Sequence, residues 1–172
     1  LLAVGDMLNN LFININEAEC GYSHRHYFGY REGKPEHIDI LGHVNNVMYV
    51  HWMQDVALAH IEELGLGLKE YIELKHAMVA VEHHVQYRKA ALEGETIVLR
   101  TWLSDINSLY LFRQYAFYRS SDKALLFVGN TKWACIEIDT GRLKRMSPTF
   151  TQAYQPISNE KDPFDFTQYD AS

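Results

Sequence analysis

The spacing of apolar residues changes near residue 75 of this chain, and that change restricts the folds open to it. Before it, the segment VMYVHWMQDVALAHIEELG (47–65) places apolar side chains around most of a helix and leaves a narrow polar stripe at His51, Asp55 and Glu62. After it, apolar and polar residues alternate with a period of two, which is typical of strands. We therefore expect one helix wrapped by a sheet.

The strands predicted after this helix are long and closely spaced. They lie near 77–89, 95–105, 109–120 and 124–138, and turn-prone residues separate them. Such connections predict an antiparallel meander. The alternation in the first of them places five side chains on one face: Val79, Val81, His83, Val85 and Tyr87.

An earlier strand over 23–30 and a short helix over 68–74 complete the predicted elements. A strand, a buried helix and then several strands predict an α+β fold with the sheet curled around the helix. The sheet edges and an uncovered apolar face favour association into a dimer.

Composition limits the class of protein. At 172 residues one domain is expected, which we place at 23–156 between an N-terminal extension, 1–22, and a polar C-terminal tail, 157–172. A net charge of −6 argues against a nucleic-acid partner, and no apolar run is long enough to cross a membrane. Cys20 and Cys135 lie far apart and outside any zinc-site spacing, which favours a reducing cytoplasmic setting.

Asp39 lies in a glycine-bearing loop just before the long helix. The start of a helix has unpaired backbone N–H groups and a partial positive charge, so it can stabilise the oxyanion of an attacked carbonyl. A carboxylate beside it can act as a nucleophile or as a base for water. Together they suggest acyl transfer or hydrolysis. The structural alternative is that Asp39 or Asn45 only caps the helix.

The string D-I-L-G-H-V-N-N-V-M-Y-V-H-W, from Asp39 to Trp52, resembles the motif D-x-x-G-H-V-N-N-x-x-Y of hotdog-fold thioesterases of the 4-hydroxybenzoyl-CoA thioesterase type. The resemblance spans roughly 23–148, because the segment from Lys132 to Pro148 is also similar to the family's last strand. It implies a hotdog fold and hydrolysis of acyl-CoA or acyl-carrier-protein thioesters. It also implies a homodimer or homotetramer with sites between subunits, and no cofactor.

The resemblance assigns roles to individual residues. Asp39 would be the catalytic carboxylate, and a backbone N–H near Asn46 would bind the thioester carbonyl. Gly42 would let the backbone approach the substrate, while Tyr49 would face the acyl pocket or simply pack in the core. Two further residues would fix the loop and position water or substrate, namely His43 and Asn45.

The sequence departs from the family at four positions. His37 and Gln54 stand where many relatives carry an acid, so a single-carboxylate mechanism is favoured. Leu41 and Ala90 stand where plant acyl-carrier-protein thioesterases carry a catalytic Asn and acid. The sequence leaves open whether Asp39 attacks the thioester or activates water. It also leaves open a non-catalytic acyl-CoA-binding or regulatory module with the same fold.

Basic residues and histidines complete the candidates. Phosphate groups of coenzyme A need cations at the pocket mouth, which predicts either Arg88 and Lys89 or a later cluster formed by Arg142, Lys144 and Arg145. The nine histidines predict no metal site, since no Cys or acidic residue completes a ligand set at suitable spacing.

Overall fold

A computed structural model describes residues 25–157 of the protein as an antiparallel sheet with a long helix against one face. The predicted extension 1–22 and nearly all of the tail 157–172 lie outside these residues. The strands are β1 (His26–Glu32), β2 (His76–Tyr87), β3 (Thr96–Ile106), β4 (Tyr110–Arg119) and β5 (Leu125–Glu137). The helices are α1 (Asn46–Glu63), α2 (Leu68–Leu74) and α3 (Pro148–Ala153), with a short 3-10 helix at Pro35–His37. The predicted α+β class is confirmed.

The order of strands in the sheet corrects one prediction. The order is β1-β3-β4-β5-β2, so only β3, β4 and β5 form a meander. β2 pairs with β5, with Tyr87 opposite Phe127, and not with the next strand in sequence. The reason is the connection 88–95, which packs on the start of α1 instead of forming a hairpin: the Val44 N–H donates to the Ala91 carbonyl at 2.8 Å. β2 is thereby left as an edge strand.

A β-bulge in β2 corrects the predicted facing of its side chains. The register of β2 against β5 shifts between Ala80 and Glu82. Because a bulge adds one residue to one strand, it reverses the alternation on either side of it. After the bulge, His83, Val85 and Tyr87 share the face that packs on α1, and the prediction that these three lie on one face is correct. Val79 precedes the bulge and lies on the opposite face of the sheet.

Helix α1 supplies the centre of the core. Its buried side chains include Tyr49, Trp52 and Met53, which pack against the sheet with aromatic residues of β4 and β5. His51, Asp55 and Glu62 are exposed as predicted, but the exposed side of α1 is wider than the predicted narrow stripe, since Val47 and Leu58 are exposed too. Beyond the helix Gly65 adopts a φ of 75°, a left-handed conformation that glycine favours and that ends the helix. Within residues 25–157, no helix has the length and apolar character needed to cross a membrane.

His26 on β1 makes the stability of the fold depend on pH. His26 is 6% exposed, and the Arg100 Nε–H donates to its Nδ1 at 3.3 Å. Burial first, and then the positive charge of Arg100, lower the pKa of His26 from 6.5 to about 3. Between these values the unfolded chain binds more protons than the folded chain, so stability is lost as the pH falls.

We expect the free energy of unfolding to drop by about 2 kcal/mol between pH 7 and pH 5 through His26 alone. Urea titrations at both pH values measure this drop, with His26→Phe as the comparison because it removes the titrating ring. In this variant the drop in the free energy of unfolding between pH 7 and pH 5 should be smaller by about 2 kcal/mol. An equal dependence in both proteins would contradict this assignment.

Candidate active site

The loop before α1 closes around the carboxylate of Asp39. Its Oδ1 accepts hydrogen bonds from the backbone N–H of Leu41 at 2.8 Å and of His43 at 3.3 Å. The backbone of Asp39 bonds to His43 and Gly42, and Gly42 has a φ of 77°, which explains a glycine at this turn. Within the described part of the chain, Asp39 Oδ2 has no hydrogen-bond partner. One carboxylate oxygen thus holds the loop, and the other is available to a substrate.

Asn45, and not Asp39, caps helix α1. Its side-chain oxygen accepts from the Val47 N–H at 3.0 Å, and its own N–H donates to the His37 carbonyl at 2.8 Å. Capping by Asn45 satisfies one of the free N–H groups at the helix start. The N–H of Asn46, the first helical residue, has no acceptor among residues 25–157. This donor lies where the helix carries its partial positive charge.

The loop and the helix start border one cavity of about 250 Å³. The structure brings together most of the predicted site residues there: Asp39, His43, Asn46, Tyr49, Arg88 and Lys89 line it. Gly42 and Asn45 do not line the cavity, and they shape the turn and the helix cap instead. The remaining lining residues are Leu41, Val44, Tyr87 and Ala90.

Aromatic side chains form one wall of the cavity. The buried Tyr49 stacks on Phe127 with ring centroids 5.3 Å apart, and its hydroxyl accepts from the Ala91 N–H at 3.2 Å. Tyr87 contacts Tyr49 edge to face, and its hydroxyl donates to the Asn46 carbonyl at 3.2 Å. Burial raises the pKa of both phenols, so both stay neutral at pH 7. Tyr87 was not predicted as a site residue, although the alternation along its strand predicted that it shares a face with His83 and Val85.

The structure separates the two predicted basic groups. Arg88 and Lys89 line the cavity beside a segment that Arg119 fixes in place by bonding to Glu95 and to the Ala90 carbonyl. The opposite end of the sheet holds the other cluster, which consists of Arg142, Lys144 and Arg145. Leu143 forms an isolated β-bridge with Ile136 there. Lys144 pairs there with Glu137 at 3.0 Å. Only the first group is placed to meet a ligand in this cavity.

The histidines of the described strands do not form a cluster. His83 Nδ1 lies 2.8 Å from Thr131 Oγ1, and His84 is opposite Asn130 on the other face of the sheet. Within residues 25–157, no three His, Cys, Asp or Glu side chains are close enough together to hold a metal ion. The metal-free chemistry expected from the sequence stays a prediction.

This combination of fold and loop defines a class of protein. The family model of the thioesterase-like superfamily matches residues 34–154, and the chain belongs to that superfamily. The resemblance noted in the sequence is therefore confirmed. So are the predicted hotdog fold and, at the level of the family, the predicted class of thioester hydrolase.

Individual relatives agree with this assignment. Over 120 residues the chain is 23% identical to "Putative acyl-CoA thioesterase YneP" of Bacillus subtilis (strain 168), covering 68% of this chain and 86% of that protein. The DHNA-CoA thioesterase of Staphylococcus aureus superposes with a TM-score of 0.69 at 21% identity, covering 74% of this chain and 87% of the other. The hypothetical protein SAV2348 of Staphylococcus aureus, solved in complex with CoA, gives 0.71 at 18% identity, covering 78% and 89%. These structures establish the fold.

Proposed function

We propose that the protein hydrolyses acyl-CoA thioesters with Asp39 as its single catalytic carboxylate. The observation that carries this proposal is that Asp39 and Asn46 line the same cavity. The carboxylate has an oxygen without a partner among the described residues, and the N–H of Asn46 lacks an acceptor there. A non-catalytic binding module has no need of a carboxylate facing the bound carbonyl, so this pair favours the enzyme.

Asn46 and Asp39 can perform the two tasks that thioester cleavage requires, which are to stabilise the oxyanion and to attack the carbonyl carbon or activate the water that does so. The Asn46 N–H stabilises the oxyanion that forms when the carbonyl carbon is attacked, and one such donor typically contributes about 3–4 kcal/mol to the transition state. On one route Asp39 Oδ2 attacks this carbon, expels the thiolate and leaves a mixed anhydride that water then cleaves. On the other route Asp39 takes a proton from water, and the water attacks directly. Both routes consume one water and yield an acid and a thiol.

The loop residues keep these groups in position. The N–H of His43 donates to Asp39 Oδ1, and His43 lines the cavity. We propose that its side chain orients water or substrate. Gly42 and Asn45 set the turn and the helix cap that aim the loop. The acyl group would then pack against Tyr49, since this ring forms the apolar wall next to Asn46.

Arg88 and Lys89 are proposed to bind the phosphate groups of coenzyme A. We expect Arg88→Glu to raise KM for acyl-CoA about 10-fold, because a charge-assisted contact at the rim becomes a repulsion. The effect should shrink as salt is added. Initial rates over a range of acyl-CoA concentrations measure it. Arg142→Glu makes the same charge change at the far end of the sheet, and an equal rise of KM in that control would argue against a local phosphate site.

We also propose that the protein assembles as a homodimer or homotetramer, with β2 at the interface. Among the described residues, no strand pairs with the second edge of β2. Apolar side chains of β2 and of the start of α1 are exposed, including Val81, Tyr87 and Val47. Uncapped edges of this kind favour association. Sedimentation equilibrium should give a mass of two or four chains, whereas a monomer at micromolar concentration would contradict the proposal.

The enzyme and the binding module differ in one assay. Thiol release is followed with the purified protein over saturated acyl-CoA substrates from short to long chains, and binding of the same compounds is measured by calorimetry. Turnover of at least one substrate supports the enzyme. Binding without hydrolysis over the whole panel would favour the module. The same acyl group carried on acyl-carrier protein tests whether coenzyme A is the preferred carrier.

A further inference from the structure

The segment 88–95 carries the two cations that are proposed to bind the phosphate groups of coenzyme A. Its first two residues line the cavity, and their N–H groups both donate to the Leu126 carbonyl, at 2.8 Å and 3.2 Å. The carbonyl of its last residue, Glu95, accepts from the Gly33 N–H at 2.9 Å. These contacts hold the two ends of the segment, so other contacts must fix its middle.

One peptide group in the middle of this segment is held from both sides. The Ala91 N–H donates to the hydroxyl of the buried Tyr49 at 3.2 Å, and the Ala90 carbonyl accepts from Arg119 Nη2 at 2.8 Å. The N–H and the carbonyl belong to the same peptide. A hydrogen bond from a guanidinium is charge-assisted and is roughly twice as strong as one between neutral groups. Arg119 is therefore the stronger of the two supports.

Arg119 is itself fixed at the end of β4, outside the residues that line the cavity. Its side chain is 18% exposed, and its Nε lies 2.9 Å from Glu95 Oε1. Its Nη1 lies 2.9 Å from Oδ2 of the exposed Asp122. The carboxylate of Glu95 also accepts from the Leu92 N–H at 2.9 Å. A planar guanidinium with three contacts in fixed directions can set the orientation of a peptide, which a flexible ammonium cannot do equally well.

We propose that Arg119 is a positioning residue for the binding of coenzyme A. It does not contact the ligand, and through the Ala90 carbonyl it keeps Arg88 and Lys89 in place at the cavity. The inference rests on the proposed function, in which these two cations bind the phosphate groups. Without Arg119 the peptide at Ala90 is free to rotate, and the cations lose the geometry that a charge-assisted contact requires. Asp39 belongs to another loop with hydrogen bonds of its own, so we expect kcat to change little.

Calorimetric titration of the full chain with coenzyme A measures this effect without turnover. We expect Arg119→Met to raise Kd about 10-fold, because a charge-assisted contact typically contributes that much. Arg119→Lys keeps the charge but not the three contacts, so it should still raise Kd by at least ~3-fold. Asp122→Asn removes an exposed ion pair and leaves the bond to Ala90 in place, so Kd should stay within about twofold of the wild type.

Kinetics separate a positioning role from a merely structural one. The octanoyl thioester of coenzyme A is compared with that of N-acetylcysteamine, which has the same reacting group and no phosphate. In Arg119→Met, kcat/KM should fall about 10-fold for the first substrate, through KM, and stay within about twofold for the second. A general loss of structure would lower both values alike.

An unchanged Kd for coenzyme A in folded Arg119→Met would overturn the proposal, and so would an equal loss of kcat/KM for both thioesters. A wild-type Kd in Arg119→Lys would show that charge alone attracts the phosphates, which would also overturn it. If Arg119→Met does not fold, Arg119→Lys decides by this criterion.

A failure of the proposed function gives a different result. A wild type that binds coenzyme A but hydrolyses neither thioester would contradict the hydrolysis, while the titration still tests Arg119. A wild type that does not bind coenzyme A would overturn the proposed phosphate site, and the positioning role would fall with it.

Discussion

Replacing Asp39 with Asn is expected to lower kcat for acyl-CoA hydrolysis by about 10²–10⁴-fold, the usual contribution of a catalytic base. The Asn side chain keeps an oxygen that can accept from the N–H groups of Leu41 and His43, so the loop should retain its shape. The amide that replaces Oδ2 is neither a base nor a nucleophile. We therefore expect KM to change little. Rates of thiol release under saturating substrate measure the effect.

Asp55→Asn is a matched control for this variant. Asp55 is an exposed carboxylate on α1 that pairs with Arg31 at 2.8 Å and does not line the cavity. The same chemical change there should leave kcat within about twofold of the wild type, because exposed ion pairs contribute little. Equal turnover by Asp39→Asn and the wild type would remove Asp39 from the mechanism on either route.

Replacing Phe127 with Ala is expected to give the largest loss of stability, about 3–5 kcal/mol. Phe127 is fully buried, and its ring centroid lies 4.9 Å from that of Phe117, 5.3 Å from that of Tyr49 and 5.4 Å from that of Tyr87. Truncation leaves a void beneath both tyrosines of the cavity wall. Urea unfolding measures the loss in the free energy of unfolding. A change in KM for acyl-CoA shows whether the two tyrosines of the cavity wall have moved.

Phe127→Leu separates lost volume from lost aromatic contacts. Leucine fills most of the space, so this variant should cost less than half as much as Phe127→Ala. A loss below about 1 kcal/mol in Phe127→Ala would show that the surrounding rings close the void. In that case Phe127 is not needed to hold the aromatic wall of the cavity in place.

Local patterns predicted the elements of this fold but not their arrangement. The period of the apolar residues gave α1 and the strands to within a few residues, because each depends on which face of a segment is buried. The pairing of β2 with β5 depends on contacts between distant segments, such as that of Val44 with Ala91. The bulge at Val81 follows from the same long-range pairing, and the sequence carries no local mark of it.

The sequence likewise predicted some residues of the candidate site and missed others. Its motif is continuous in sequence, so Asp39 and Asn46 were found directly, whereas Asp39 and Asn45 were equal candidates for the cap until the geometry distinguished them. Tyr87 comes from the edge strand and joins the cavity only through the fold.

The most direct test is a crystal structure of the protein with an acyl-CoA analogue in which a methylene replaces the thioester sulfur. This ketone keeps the carbonyl group and cannot be hydrolysed. We predict that its oxygen accepts a hydrogen bond from the Asn46 N–H at ~2.7–3.1 Å, the usual range for an oxyanion site. Asp39 Oδ2 should face the carbonyl carbon. An analogue bound with its carbonyl elsewhere, or a carboxylate of Asp39 directed into bulk solvent in the complex, would contradict the proposed mechanism.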